Sequence, residues 1–487
     1  MFEIKLTGNI FDKETDYYIL PVYKNFNYGK FITGTLTKEI LTIIKNKKIS
    51  HEYCGKTIIS FTQNGLKKVF FIGLGEIEKL TTEKIRQAAG FAIKELKTFK
   101  ANSIAVIPWF DEHEKQIAQI EGLILASYQY QLTKQQKDNN KIKYLYLTGF
   151  KNKLIDDTIK ICKNVFLVRD LMNMPSNIVT PTYIENEAKK IARQYRLKFK
   201  SFSKEQAKKI GMETFYSVAK GSCEPAKFIV LEYHGNKKSK NKIALIGKGI
   251  TFDSGGISLK PQSSPLSKIE DMKFDMTGAA VVLYLMKTIA ELNLKKNVIS
   301  VLPVTENLPS GTAYKPGDVL KTLSGKTVEV ISTDAEGRLI LADAITYAIK
   351  NYNPELLIDI ATLTGGCVVA LGHYATGLMG NDKQLIEMMK ESGEETGERM
   401  WELPLWEEYK EQIKSKNADI KNYGGGDAAT ITASCFLNEF IDDVKWLHLD
   451  IAGTAYGVAN KHYIPDGVAG TGLRTIFKFF KKLEKEV

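Results

Sequence analysis

Short apolar runs alternate with longer stretches of mixed polarity along most of the chain. In the first part, Tyr17–Tyr23, Thr57–Phe61, Lys68–Leu74, Ser103–Ile107 and Ile142–Leu147 have the length and composition of strands. Thr82–Phe99 and Glu112–Tyr130 carry helical periodicity. The polar stretch Gln131–Asn140 reads as a loop rather than a boundary, because a strand follows it. Asp156–Asp170 reads as a connecting helix, stopped by the turn-forming Asn173-Met174-Pro175-Ser176-Asn177. A second series then begins. Lys242–Ile246 predicts a buried strand, Thr277–Leu292 a helix and Asn297–Val304 a strand. Val319–Ile331 predicts a hairpin turning at Ser324-Gly325-Lys326, Arg338–Tyr352 a helix and Leu356–Ala361 a strand. Ala428–Phe440 predicts a helix and Trp446–Ile451 a last strand.

This alternation predicts an α/β protein of two domains, each a mixed sheet flanked by helices, the C-terminal sheet being larger and mostly parallel. The expected division is an N-terminal α/β domain over 1–150, a connecting helix over 151–175 and a C-terminal domain over 176–487. Ligand sites in such sheets gather outside the carboxyl ends of the strands. No internal repeat or low-complexity linker interrupts the pattern.

Composition narrows the classes. The chain has 487 residues, 44% hydrophobic and 25% charged, which fits a globular protein with a large core. Its start, Met-Phe-Glu-Ile-Lys, has no signal-peptide pattern, and no apolar run approaches a membrane span, so a cytoplasmic protein without membrane contact is expected. Five cysteines at wide spacing, without a Cys-x-x-Cys pair, argue against a disulfide framework or a thiolate zinc site and predict five buried thiols. The six histidines are scattered, so carboxylates must supply most of any metal ligation. A net charge of +12 rests on dispersed lysines, a diffuse pattern for nucleic-acid binding and an ordinary one for a solvated surface.

Two segments carry candidate chemistry. One runs Gly247-Lys248-Gly249-Ile250-Thr251-Phe252-Asp253-Ser254-Gly255-Gly256-Ile257-Ser258-Leu259-Lys260, followed by Met272-Lys273-Phe274-Asp275-Met276. The other is Ser332-Thr333-Asp334-Ala335-Glu336-Gly337-Arg338-Leu339. In an extended chain Asp334 and Glu336 point to the same side, and two carboxylates aimed together repel unless a cation lies between them. Taken alone, that segment also reads as an acidic helix N-terminus. Asp253 is expected in a glycine-rich loop straight after the strand Lys242–Ile246, with Lys248 and Lys260 on either side and Asp275 just before a helix. Four carboxylates and two lysines of this kind fit paired divalent ions in a hydrolase. A phosphate-cradling loop is the competing reading, but neither GxxxxGK[ST] nor GxGxxG is present.

These segments resemble the leucyl, or cytosol, aminopeptidase family, whose signature is Asn-Thr-Asp-Ala-Glu-Gly-Arg-Leu; only Ser332 departs from it. The resemblance extends to 169–177, Ala361-Thr362-Leu363-Thr364-Gly365, Asn422-Tyr423-Gly424-Gly425 and His448-Leu449-Asp450-Ile451-Ala452-Gly453, and so spans about residue 165 to the end.

The resemblance implies that Lys248, Asp253, Asp275 and Glu336 hold one divalent ion and that Asp253, Asp334 and Glu336 hold a second. Zinc is the first expectation, with manganese, magnesium or cobalt as alternatives. As a ligand Lys248 must be neutral, its pKa depressed by burial and by the ion. Lys260 and Arg338 are the implied catalytic residues, Lys260 facing the developing oxyanion and Arg338 holding a bicarbonate that shuttles protons. Met272, Thr362, Leu363, Gly365 and Ala452 are implied to bind substrate, the first side chain being Leu or another neutral apolar residue. Ala455 stands where some relatives carry methionine, which implies a roomier pocket, and the loop Pro261–Ile269 is longer than the family pattern. The implied activity is removal of single N-terminal residues from peptides by a metal-dependent homohexamer. A two-metal phosphoesterase and a non-catalytic or dual-role nucleic-acid binder are the alternatives. The absence of histidine from both motifs disfavours the first, and the intact Lys260, Asp334, Glu336 and Arg338 disfavour the second.

Overall fold

Eighteen strands and the helices between them make up the computed structural model, which describes residues 2–7, 10, 15–23, 35–46, 49–62, 66–130, 142–150, 152–262, 268–458 and 461–485. The chain divides into two compact units, one formed by 1–166 with 460–465 and the other by 167–459 with 466–487.

In the first unit the strands are β1 (Glu3–Thr7), β2 (Tyr17–Val22), β3 (Lys56–Thr62), β4 (Leu66–Gly73), β5 (Ser103–Val106) and β6 (Tyr144–Thr148), in the order β1-β6-β5-β2-β4-β3. All pairs are parallel except β3 with β4. β2, Tyr-Tyr-Ile-Leu-Pro-Val, is buried at every position, as a strand with parallel neighbours on both sides requires. The helix Thr82–Thr98 starts where the Thr81 hydroxyl accepts the Lys84 N–H at 3.2 Å. Against this helix lie residues 461–465: the His462 N–H reaches Gln87 Oε1 at 2.7 Å, and the Tyr463 hydroxyl meets both Glu83 oxygens at 3.1 Å. A side chain at Gly90 would put its Cβ 2.8 Å from the Tyr463 nitrogen, so that approach needs glycine.

The second unit adds β7 (Lys198–Ser203), β8 (Lys227–His234), β9 (Lys242–Gly247), β10 (Gly249–Asp253), β11 (Asn297–Asn307), β12 (Val319–Lys321), β13 (Thr327–Glu329), β14 (Leu356–Ala361), β15 (Thr376–Gly380), β16 (Met400–Glu402), β17 (Ile420–Lys421) and β18 (Lys445–Asp450). Nine of these form one sheet in the order β16-β15-β18-β14-β9-β11-β8-β7, with β10 also on β11. The central pairs β18·β14, β14·β9, β9·β11 and β10·β11 are parallel; β15·β18, β11·β8 and β7·β8 are antiparallel. The expected mixed sheet in the first unit and larger, mostly parallel sheet in the second are both present. Helices Thr277–Glu291 and Glu336–Tyr352 bury nearly every residue, which explains their weak amphipathic signal. Among the described residues, no helix is long and apolar enough to cross a membrane.

Several expectations are corrected. The helix expected to Tyr130 ends at Leu125, where the Ser127 hydroxyl takes the Ile124 carbonyl at 2.6 Å in place of a continuing turn. The strand expected from Ile142 begins at Tyr144. β1, the helix Thr35–Asn46, all elements between Pro181 and His234, and the helix Leu473–Leu483 are additional to those read from the sequence. Gln131–Asn140 lies outside the described residues. Cys162, Cys367 and Cys435 are buried, but Cys54 is half-buried and Cys223 exposed, both standing in turns; all five are free thiols.

Candidate active site

The chemistry-bearing side chains leave the large sheet at the carboxyl ends of its central strands. Lys248 is the single residue between β9 and β10, Asp253 closes β10, Asn307 closes β11, Thr362 follows β14 and Asp450 closes β18. Asp275 caps the 3₁₀ turn Ile269–Phe274, and Glu336 is the first residue of the helix Glu336–Tyr352. Two local expectations change here. Asp253 is not in a loop but ends a second short strand, because β10 continues the chain parallel to β11. Asp334 and Glu336 are not brought to one side by extended-chain alternation: Thr333 and Asp334 form a turn, and the helix begins at Glu336.

Close backbone approaches fix Lys248. A Cβ on Gly337 would stand 2.4 Å from Lys248 Cε and 2.6 Å from its Nζ. One on Gly278 would stand 2.8 Å from the Lys248 nitrogen and 2.1 Å from the Ile360 carbonyl oxygen. Gly278, facing backbone atoms, therefore excludes a side chain, and one at Gly337 would displace the end of Lys248. Gly255 and Gly256, at φ +86° and +66°, turn the chain beyond Asp253, so that the Gly255 N–H donates to Asp253 Oδ1 at 2.9 Å.

Two ammonium groups divide four carboxylates. Lys248 Nζ lies 2.8 Å from Asp275 Oδ1 and 3.0 Å from Glu336 Oε1, and donates to the Thr362 carbonyl at 3.0 Å. Lys260 Nζ lies 2.9 Å from Asp253 Oδ2 and 2.5 Å from Asp334 Oδ1. The Thr362 hydroxyl donates to Asp275 Oδ1 at 2.7 Å, and Asn307 Nδ2 donates to Asp253 Oδ1 at 2.7 Å and to the Thr333 carbonyl at 2.9 Å. Tyr314 donates to that carbonyl as well, at 2.9 Å, pinning the turn that carries Asp334.

Burial governs the titration. It pushes Glu336 up to about 8, with Asp253 adding repulsion and Lys248 opposing it. Burial likewise lifts Asp275 to about 6 against the pull of Lys248, and raises Asp334 against that of Lys260. For Lys248, burial alone would favour the neutral amine, but Asp275, Glu336 and Asp253 together outweigh it and the net direction is upward. The depressed value expected for a ligating Lys248 is therefore not what the protein groups alone produce.

One oxygen from each of Asp253, Asp275 and Glu336 falls within 4.8 Å of the others, and all three side chains are buried. Asp275 Oδ2 and Glu336 Oε2 are buried without a hydrogen-bond partner among the described residues, as are Nε and Nη1 of Arg338. Burial lowers Arg338 to about 10, Glu336 and Asp450 working the other way. The arrangement thus offers acceptor atoms suited to a cation and, on Arg338, donor atoms suited to a planar anion.

One cleft is bordered by Lys248, Asp253, Lys260, Asp275, Asp334 and Glu336, and also by Met272, Thr362, Leu363, Gly365 and Ala452. Arg338 does not border it, nor does the fully buried Ala455, which the resemblance set beside the pocket. Ile269, Phe274, Val368 and Tyr456 extend the apolar wall, the Phe274 and Tyr456 rings lying 4.7 Å apart. Pro261 and Ile269 reach the cleft from the longer loop, whose residues 263–267 lie outside the described part. Sequence reading missed Asn307 and Tyr456 as residues of this region, and gave no role to Phe274 and Asp450 within the segments it singled out. Asn307 is a polar residue at the end of an apolar strand, a signal that could have marked it.

Residues 166–477 match the model for the cytosol aminopeptidase family, catalytic domain, and residues 24–137 that for the cytosol aminopeptidase family, N-terminal domain. A probable cytosol aminopeptidase of Geotalea uraniireducens is 43% identical over 88% of each chain. One of Clostridium tetani is 40% identical over 96% of this chain and 98% of that protein. Among solved structures, the bottromycin maturation enzyme BotP is 27% identical over 97% of this chain and 100% of its own, with a TM-score of 0.84; its complex with Mn gives the same score.

Proposed function

The chain belongs to the cytosol aminopeptidase family and is a metallo-exopeptidase, and on that premise we propose that it removes leucine and other neutral apolar residues from peptide N-termini with two divalent ions in the carboxylate cluster. The observation that carries this reading is the trio Asp253, Asp275 and Glu336, gathered around buried oxygens of Asp275 and Glu336 that no protein group satisfies. Such oxygens are costly unless a cation meets them, so the donor set fits the ions the family implies. Lys248, Asp253, Asp275 and Glu336 would hold one ion and Asp253, Asp334 and Glu336 the other. The BotP complex holds Mn, which supports manganese beside zinc, with magnesium and cobalt as further choices.

When bound, the ions supply Lewis acidity that lowers the pKa of water and polarises the scissile carbonyl. The chain's own groups do the rest. Lys260, charged and reaching into the cleft, stabilises negative charge developing on the carbonyl oxygen. Lys248, to act as a ligand, would have to be neutral, with its proton given up and Asp275 and Glu336 free to hold the ion. Arg338 presents unpaired donors for a bicarbonate, which can carry a proton that the guanidinium, still far too basic at about 10, cannot accept. Met272, Leu363, Gly365 and Ala452 offer an apolar seat for the first side chain, beside Thr362, whose carbonyl and hydroxyl are engaged by Lys248 and Asp275. We place the enzyme in the cytoplasm as a homohexamer, tested by light scattering of the purified chain.

Hydrolysis of leucine p-nitroanilide by ion-loaded protein tests the activity, beside its N-acetylated form and a Glu336→Ala variant. Cleavage of the free-amine substrate alone, abolished by chelation and by the variant, is expected. Equal cleavage of the acetylated compound would sink the exopeptidase reading.

A further inference from the structure

Behind the apolar wall of the cleft stands a carboxylate that the reaction as derived does not use. Asp450, the last residue of β18, is fully buried. Its Oδ1 accepts the N–H groups of Leu363 at 3.2 Å and Ala452 at 3.1 Å, and its Oδ2 accepts the Thr364 hydroxyl at 2.8 Å. Leu363 and Thr364 belong to the loop after β14, Ala452 to the turn after β18, and all three border the cleft. The two strands run parallel with Ala361 opposite Asp450, and two further bonds tie these segments, the Ile451 N–H on the Ala361 carbonyl at 2.8 Å and the Cys367 thiol on the Asp450 carbonyl at 3.5 Å.

The side chain is matched to that task. Three donors converge on two oxygens, and a carboxylate accepts them all without presenting a donor of its own. The Thr364 hydroxyl is committed further: it receives the Cys367 N–H at 3.1 Å as the cap of the helix Gly365–Leu371 and lies 2.7 Å from the Thr430 hydroxyl. Asp450 therefore fixes the start of that helix, which brings Gly365 and Val368 to the cleft. Behind it, His448 Nδ1 lies 2.6 Å from Asp359 Oδ1, and the Trp446 indole donates to Asp359 Oδ2 at 2.7 Å. The residues flanking Asp450 along the strand are thus locked as well.

We propose that Asp450 is a positioning residue for substrate selection: it holds the two walls of the first-residue pocket at a set separation, without touching the substrate or the reacting atoms. The proposal rests on the reading above that Leu363, Gly365 and Ala452 seat the first side chain. It implies that Asp450 matters in proportion to how much side chain the substrate brings. A glycine substrate uses the ions and Lys260 but not the walls, whereas a leucine substrate uses both.

The test compares leucine and glycine p-nitroanilides on ion-loaded unaltered enzyme, Asp450→Asn and Thr364→Val, with bound-ion content measured for each. For Asp450→Asn, KM for the leucine substrate rises about tenfold while kcat stays within about threefold, and KM for the glycine substrate moves less than about twofold. Thr364→Val shifts the leucine KM in the same direction by less, and decides the matter if Asp450→Asn does not fold. Equal changes for both substrates, or a common fall in kcat with loss of bound ions, would show a merely structural role and overturn the proposal. An unaltered enzyme that cleaves neither substrate would overturn the aminopeptidase reading and this proposal together. One that cleaves both, with the leucine-to-glycine ratio of KM unchanged in the variants, would overturn this proposal alone.

Discussion

The two lysine–carboxylate groups of the cleft use the same chemistry in different surroundings. Around Lys248 everything is enclosed: its side chain is 3% exposed, Glu336 1% and Asp275 9%. Around Lys260 the cluster opens to solvent on one side only, with Lys260 at 19% and Asp334 at 39% but Asp253 at 3%. The enclosed half has carboxylates lifted to about 6 and about 8 and leaves oxygens unsatisfied; the open half relies on a turn held by Asn307 and Tyr314. The difference teaches that the enclosed half needs a cation to be stable as an ionised group, while in the other half water reaches Asp334 and can share in neutralising it.

The sharpest break of this comparison is Glu336→Ala, which removes the carboxylate at the centre of the enclosed half. Hydrolysis of leucine p-nitroanilide should fall at least about a thousandfold, with loss of tightly bound ion by mass spectrometry. In the open half, Lys260→Ala should lower kcat roughly 100- to 1000-fold with little change in KM and with ion content kept, as for removal of one oxyanion donor. Asp334→Asn should cost less, about 10- to 100-fold, and weaken one ion selectively in a titration followed by activity. An equal loss of both ions in that variant would erase the distinction between the halves. Gly337→Ala intrudes first on Lys248; a drop of about tenfold in kcat is expected, whereas unchanged kcat would mean that the lysine can move aside.

The smallest effect concerns stability. In ion-free protein, Glu336 and Asp275 hold protons in the folded state that the unfolded chain releases near pH 4 to 5. The folded state therefore binds more protons between there and about pH 8, so stability falls as pH rises across that window. The melting temperature of chelated enzyme should drop by a few degrees from pH 6 to pH 8. Added divalent ion should remove the slope; a flat profile without ion would show that these acids are not perturbed.

What the sequence made legible follows from how each feature is encoded. Strands with parallel neighbours write themselves as largely apolar runs, and Leu356–Ala361, interrupted only by Asp359, has the bounds the sequence predicts. The residues gathered at the cleft were legible because they lie in glycine-rich segments whose order resembles one family. The path of the chain between them was not. Asp253 closes a strand only because β11 runs on to Asn307 and offers β10 an edge, a long-range fact with no local trace. The turn at Thr333-Asp334 depends on side chains distant in sequence, Ser258 and Asn307 among them. Helices such as Glu213–Ala219 escaped because short elements with a mostly buried surface carry little periodicity.

The segment 461–465 has a bearing on biosynthesis. It completes the surface around Glu83, Gln87 and Gly90 of the helix Thr82–Thr98, yet it follows the rest of its unit only after the whole stretch 167–459 of the other unit. On the ribosome, where domains otherwise fold in the order they emerge, the first unit must wait with that helix face uncovered until this segment has been made. Nascent chains halted before residue 460 should therefore be cut by protease within that unit, and chains that extend beyond residue 465 should not.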